Sequence, residues 1–438
     1  MLTKLRIKNF KCLQDTGELD IRPLTFLVGP NSSGKSSILQ VLLMLRQTVD
    51  STDPNVPLAT SNGWIEMGAY PDFVYKHECD TNLEFHLEFS VSEKDWPFGG
   101  LDRSPNQLSM VVVFSYNPKT TNIELEESVL VLDDILTTKV VKGIGKQYSA
   151  IQSWQEKKGR KKKKKVDDVR PHKFYHFRPA FLKEGGFYPY PFPVFPPGFL
   201  IEKWFRNVFY LGPLRESPRR FYVTSGQTPQ DVGIKGERAI AVWWSAERGE
   251  TKKIRELKKE IQYWFKKLGM GNLVRLDKIG KANLYTVTVK DLFSGIEANL
   301  ADIGFGASQT LPIIIESLYA PEGSTLLIEQ PEIHLHPRAQ SVLGDLFLEA
   351  SKRGHRNFII ETHSEHILAR VRRRIAEGKI KAEDIAIYYF EPTSEGTSIK
   401  RVTLNKYGQY ESFPHGFFDE DINEAFEHLK AINQANSK

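Results

Sequence analysis

The sequence predicts an α/β protein, a mixed β-sheet flanked by helices, and three observations carry that prediction. A glycine-rich turn at residues 29–36 joins an apolar strand-like run, LTFLV, to a helical run, SILQVLLMLRQTV. Residues 300–405 alternate apolar strand segments (STLLIEQ, NFIIETH and IAIYYFE) with helical stretches. The 438 residues are 40% hydrophobic and include 27 Phe, 16 Tyr and 7 Trp, enough to fill a core and to exclude a disordered chain. That length suits two or three domains, or one large domain carrying insertions.

The elements follow in order along the chain. MLTKLRIKNF alternates as a strand does and has no apolar signal core, and no stretch approaches the ~18 apolar residues of a membrane span. Residues 51–115 continue with the strand runs LEFHLEFSV and SMVVVFSY. Residues 116–205 carry a lysine tract and then FYPYPFPVFPPGF at 187–199, whose six aromatics and five prolines predict an extended, polyproline-like strip. Such a strip could stack bases or bind a partner, but an irregular segment packed on the core is the favoured reading, since exposed apolar patches of that size are rare. Residues 206–300 hold YLGPLRESPRRFY, DVGIKGERAI and a helix around 252–268. There is no internal repeat and no sustained heptad. On this reading the chain divides into an N-terminal lobe at 1–115, an inserted or connecting region at 116–300 and a C-terminal lobe at 301–438. Cys12 and Cys79 form no CxxC pattern, which fits a reducing cytoplasm without a disulfide framework or thiolate zinc site.

Residues 29–36, GPNSSGKS, satisfy GxxxxGK[ST] in full, between a strand and a helix. Gly29 and Gly34 let backbone N–H groups of the loop, with Asn31, Ser33 and Ser37 along it, curl around phosphate oxygens at a helix N-terminus. Lys35 is placed to reach the β- and γ-phosphates, and Ser36 to offer its hydroxyl to Mg²⁺. Far along the chain, Glu329 ends the buried strand LLIE, as suits a carboxylate that holds Mg²⁺ beside a P-loop. Glu361 and His363 end another apolar strand, and alternation puts them on one face. Ligands in open α/β sheets gather at the carboxyl ends of strands, so these ends are expected to meet at the phosphates.

The order P-loop, GFGASQ at 304–309, LLIEQPEIHLHP at 326–337 and ETHS at 361–364 resembles an ABC-type ATPase head of the SMC, RecF and OLD branch. More narrowly, with YLGPLR and the PHGFFDEDINEAF tail, it resembles the stand-alone AAA-family ATP-binding subunits of prokaryotic anti-phage operons. That resemblance implies that Gly304, Gly306, Ser308 and Gln309 form a signature loop facing the γ-phosphate held by a second protomer. It also implies that Glu329 is the Walker B acid, that His363 is the switch histidine and that Lys11, with Phe10, lies beside the nucleotide. ATP and Mg²⁺ are the implied ligands, bridging a homodimer or higher oligomer. The 75 residues after His363 are too few for the C-terminal nuclease of OLD proteins, so the resemblance implies a sensor or scaffold that controls a separate, nuclease-like effector.

One departure bears on rate. Where ABC ATPases usually carry Asp-Glu, this chain has Glu329 and Gln330. An amide orients water but cannot accept its proton. Glu332 or Glu361 could stand in, and slow ATP hydrolysis is the expectation. Two other function classes remain open: a RecF-like DNA repair or DNA-end-handling ATPase, and a non-hydrolysing, ATP-locked structural subunit. His334, His336, His363 and His366 lack a dependable metal-ligand spacing, so oxygen-bound Mg²⁺ is preferred to a transition metal.

The net charge of +6 does not make this a basic protein. Eight of the nine residues from Lys157 to Lys165 are cationic; without them 52 basic residues face 54 acidic ones. The tract reads first as a solvated, disordered loop, with DNA phosphate contact or an acidic protein partner as functional alternatives. A second run, Arg370-Val-Arg-Arg-Arg374, is expected to spread its charge around a solvated helix.

Overall fold

A computed structural model of the chain describes all residues except 96–104, 134, 144–146, 156–160, 180–196, 224–226, 249–251, 280–282, 413–423, 425–426, 429, 431 and 433–438. Most of the proline–aromatic strip, most of the PHGFFDEDINEAF tail and the first four residues of the lysine tract lie outside the described residues.

The functional elements sit on a six-stranded sheet. Its order is Val208–Leu211, Thr325–Glu329, Asn357–Glu361, Leu24–Val28, Ile385–Thr393 and Gly396–Arg401. The first five strands are parallel and the last is antiparallel. Leu24–Val28, Thr325–Glu329 and Asn357–Glu361 are buried at every position, which is why they read as continuous apolar runs and not as alternating ones. Each face of this sheet has its own core. Leu27, Leu327 and Ile359 pack with the helix Lys35–Asp50 and with a ten-stranded antiparallel sheet built from residues 2–179. Phe26, Ile328, Phe358 and Ile360 pack on the other side against the helices Phe305–Tyr319, Pro337–Gly354 and Glu365–Ala376.

The antiparallel sheet shows the period-two pattern of a half-buried surface, as in Leu83–Ser90, where Leu83, Phe85, Leu87 and Phe89 point inward. The strand Gln107–Asn117 is one unbroken member of it. A third, smaller sheet pairs Asn272–Ile279, Leu284–Lys290, Tyr222–Val223 and Glu297–Asn299. The helix expected around 252–268 is present as Lys252–Lys267.

The lysine tract departs from the loop reading. Lys161 to Lys165 open the strand Lys161–His172 and pair in register with Gln155 back to Ile151. Ladder bonds to that neighbour hold the backbone, and alternation divides the lysines between the two faces. Among the described residues the neighbour on the other side, His176–Pro179, pairs with Val169 to His172 and not with the lysines, so the lysine-bearing half is an edge of the described sheet. Like charges on an edge oppose strand addition by another chain. Replacing exposed Lys162, Lys163 and Lys165 with glutamine is therefore expected to promote self-association at low salt. Light scattering reads this out, and an unchanged particle size would count against edge protection.

The arginine run also differs from its expectation. Arg370 and Arg374, one helical turn apart, both bind Asp345 of the helix Pro337–Gly354, each at 2.6 Å. Arg372 stacks 3.9 Å over the Tyr410 ring and donates to the Gly408 carbonyl. Burial pushes the Asp345 carboxyl up, but the hydrogen bond from Arg374 and the charges of both arginines outweigh it and hold it below its ordinary range. Asp345→Ala would take from Arg370 its ion-pair partner and leave Arg374 with Glu377 alone. The expected loss is about 3 kcal/mol, seen as a lower unfolding midpoint at neutral pH. Because the carboxyl is depressed in the fold, its contribution is complete above the unfolded pKa of about 3.9 and fades as pH falls through the folded value.

Candidate functional site

The P-loop strand ends at Val28 and the chain turns sharply. Gly29 has φ 144°, and a Cβ there would collide with the Phe390 carbonyl on the neighbouring strand. Gly34 caps the helix at φ 92°, where a Cβ would lie 2.5 Å from Cys12 Sγ. Both positions require glycine. Lys35 Nζ donates to the carbonyls of Gly29 (3.0 Å) and Pro30 (2.6 Å), and the residue is only 3% exposed. Burial pushes the Lys35 ammonium below its usual value, opposed by the charges of Glu361 and Glu332.

A cavity of about 390 Å³ opens over this loop. Of the residues singled out from the sequence, Lys11, Asn31, Ser33, Gly34, Lys35, Ser36, Ser37, Gln330, Glu361 and His363 line it. The P-loop, the end of the acid strand and the switch turn are thus brought to one place, at the carboxyl ends of parallel strands. The Ser33 hydroxyl is fully buried without a hydrogen-bond partner. That orphan hydroxyl and the folded-back lysine are groups a bound phosphate would satisfy.

The carboxylates take distinct positions. Ser36 Oγ donates to Glu361 Oε2 at 2.7 Å, so Glu361, and not Glu329, stands against the P-loop serine. Strand order is the cause, because Asn357–Glu361 lies between the P-loop strand and Thr325–Glu329. Glu329 and Glu361 are register partners across those two strands. Burial and the charge of Glu361 push the Glu329 carboxyl up to about 7, against the hydrogen bond from Tyr210 and the charges of Arg215 and Lys11. Burial likewise raises Glu361, with the Ser36 hydrogen bond and Lys35 opposing. Two adjacent carboxylates and a hydroxyl are hard oxygen donors that suit Mg²⁺, whose remaining ligands would be nucleotide oxygens and water. Among the described residues there is no cluster of three or more His, Cys, Asp or Glu side chains arranged to hold a metal.

Glu332 is not among the residues that line the cavity. It accepts from Thr362 Oγ1 (2.7 Å) and from the His363 backbone N–H (2.6 Å), which fixes the turn after the switch strand. His363 lies on the cavity wall, where partial desolvation and then the charge of Lys35 lower its pKa. Gly304, Gly306, Ser308 and Gln309 form the start of the helix Phe305–Tyr319, with Ser308 Oγ donating to the Phe305 carbonyl at 2.9 Å. None of these four lines the P-loop cavity of its own chain.

Several site residues escaped sequence reasoning. Cys12 and Gln40 line the cavity, and Thr397 donates its hydroxyl to the Ser33 carbonyl at 2.9 Å. Tyr210 and Arg215 hold the end of the acid strand, with Tyr210 Oη donating to Glu329 Oε1 at 2.8 Å. The last two begin and end YLGPLR, a segment visible in the sequence whose role is not.

The family described as AAA ATPase domain matches residues 1–173 and 245–368, and a family described as a protein of unknown function (DUF3696) matches residues 380–427. An OLD nuclease of Thermus scotoductus is 50% identical over 42 residues, which are 10% of this chain and 8% of that protein. Solved structures with a similar trace include an SMC head bound to the C-terminal winged-helix domain of ScpA (13% identity, 92% of this chain and 98% of that one, TM-score 0.44). Another is the SMC head domain from Thermotoga maritima (10% identity, 92% and 99%, TM-score 0.35). A third, an SMC head with an extended coiled coil bound to the C-terminal domain of ScpA, derives from Pyrococcus furiosus (12% identity, 99% of both chains, TM-score 0.43). With a complete P-loop and a family match over more than half of its length, this chain belongs to the AAA ATPase domain family.

Proposed function

We propose that the chain binds ATP with Mg²⁺ and hydrolyses it slowly, as an ABC-type cytoplasmic subunit that senses or scaffolds in anti-phage defence and controls a separate nuclease-like effector. The observation that carries the nucleotide chemistry is the meeting of Lys35, Ser36 and Glu361 in one cavity at the carboxyl ends of parallel strands. Ser36 would hold Mg²⁺, with Glu329 supplying a carboxylate from the adjoining strand end beside Glu361, and the ion when bound neutralises phosphate charge. Lys35 moves from the loop carbonyls to the phosphates, Gln330 orients the attacking water, and Glu361 accepts its proton. His363, on the cavity wall, would contact the γ-phosphate. The signature residues lie outside their own chain's cavity, which supports a site completed by a second copy through Ser308.

The slow rate is supported by Gln330 on the cavity wall and by Glu332 being engaged by the switch turn. The defence role rests on the resemblance of the motif order and of YLGPLR. Hydrolysis and ATP-dependent dimerisation of the purified chain, measured with and without DNA, test the proposal. Slow turnover with ATP-induced dimers and no DNA stimulation is the expected result. ATP-bound dimers without turnover would establish the locked subunit instead. DNA-stimulated turnover, with salt-sensitive binding that weakens when the lysine tract is neutralised, would favour the DNA-handling reading.

A further inference from the structure

We infer that Tyr210 and Arg215 are positioning residues for hydrolysis, bracing the end of the acid strand so that Gln330 faces the bound phosphates. This rests on the ATPase reading above and extends it to residues outside the nucleotide motifs. The strand Val208–Leu211 runs beside Thr325–Glu329, with Tyr210 in register with Leu327. Beyond Leu211 the chain turns back across the end of its neighbour. Tyr210 Oη reaches the Glu329 carboxylate at 2.8 Å, while Arg215 Nη2 donates to the Glu329 carbonyl at 2.7 Å and Nη1 to the Gln330 carbonyl at 3.3 Å. On the other flank, the Gln330 N–H donates to the Glu361 carbonyl at 2.8 Å.

These contacts converge on a strained residue. Gln330 has φ 44°, in the left-handed region, and a non-glycine residue persists there only where its surroundings over-determine it. Removing the brace would let residue 330 relax and carry its amide away from the cavity it lines. Arg215 is only 6% exposed and its Nε is buried without a partner. Burial brings its pKa down to about 10, against the charges of Glu332, Tyr210 and Glu329. Burying a guanidinium on main-chain carbonyls opposes folding, so stability alone gives no reason for this residue type. A planar fork that spans two successive carbonyls does.

The test uses the full chain with Arg215→Met, Arg215→Lys and Tyr210→Phe, in steady-state hydrolysis and in binding of a non-hydrolysable ATP analogue. Arg215→Met is expected to lower kcat about 10- to 100-fold, the effect of misplacing a water-orienting group, with analogue affinity within about threefold of wild type. Arg215→Lys, which keeps a cationic donor nitrogen but not the fork, should recover part of that loss. Tyr210→Phe should raise the Mg²⁺ concentration for half-maximal rate several-fold, since it frees the Glu329 side chain. It removes one hydroxyl and so serves even if Arg215→Met does not fold. An unchanged kcat in Arg215→Met would overturn the inference. So would equal losses of kcat and analogue affinity that match a loss of folded protein, with lysine no better than methionine. A wild type that binds nucleotide without turning it over would overturn the inference and leave the nucleotide site standing; a wild type that binds none would overturn the site itself.

Discussion

Lys35→Ala is expected to reduce ATP affinity by at least about 100-fold and to take hydrolysis below detection. The side chain is the one ammonium on the P-loop itself, it is almost fully buried, and among the described residues its hydrogen-bond partners are two loop carbonyls. Those carbonyls are what an ammonium takes up when no phosphate is there; they can return to water or to backbone donors at modest loss. A phosphate chain has no such substitute, because each charge-assisted bond from Lys35 is made by an ammonium that is itself almost fully buried. The variant should therefore unfold close to the wild-type midpoint without nucleotide. With nucleotide the two should separate: the wild type gains about 2.7 kcal/mol at a hundredfold excess over its Kd, and Lys35→Ala gains almost nothing. Thermal unfolding with and without MgATP measures both arms. A variant that still gained stability from MgATP would remove the P-loop from the binding site.

What the sequence made legible was whatever function confines to a short contiguous stretch. The eight residues 29–36 must supply left-handed glycines, a lysine and a serine between a strand and a helix, so one string held both chemistry and local structure. Central parallel strands were legible for a related reason, since burial on both faces leaves an unbroken apolar run. Strand order was not. Local pattern does not say that the switch strand intervenes between P-loop and acid strand, and that order is what sets Glu361 against Ser36. Pairing overrode composition in the lysine tract, where five consecutive lysines take strand form because the neighbouring chain supplies the ladder. The arginine run hides its partner: Arg370 and Arg374 share a face by helical period, but Asp345 lies on another helix. Tyr210 and Arg215 were hidden in the same way, since their bonds go to residues more than a hundred positions away.

Glu361→Gln is the replacement that decides how a chain with Gln330 at the water position can hydrolyse ATP at all. Among the described residues, Glu361 is the carboxylate that lines the P-loop cavity. Glu332 has both oxygens engaged by the switch turn, and Glu329 is turned toward Tyr210. The amide of Gln330 can orient a water but not take its proton, which leaves Glu361 as the acceptor. Glutamine keeps its size and can still accept the Ser36 hydrogen bond, so the cavity and its affinity for ATP should survive. The expected result is a kcat lower by about 100- to 10,000-fold, the span of a lost general base, with analogue binding within about threefold. Glu332→Gln gives the contrast: it weakens the anchor of the 362–363 turn, so it should lower the unfolding midpoint and affect kcat less than Glu361→Gln. Single-turnover hydrolysis with the two variants side by side separates proton acceptance from turn anchoring. Ordinary ATPase rates in the wild type, unmoved by either replacement, would mean that neither carboxylate takes the proton and that the chemistry lies with a group supplied from a second copy.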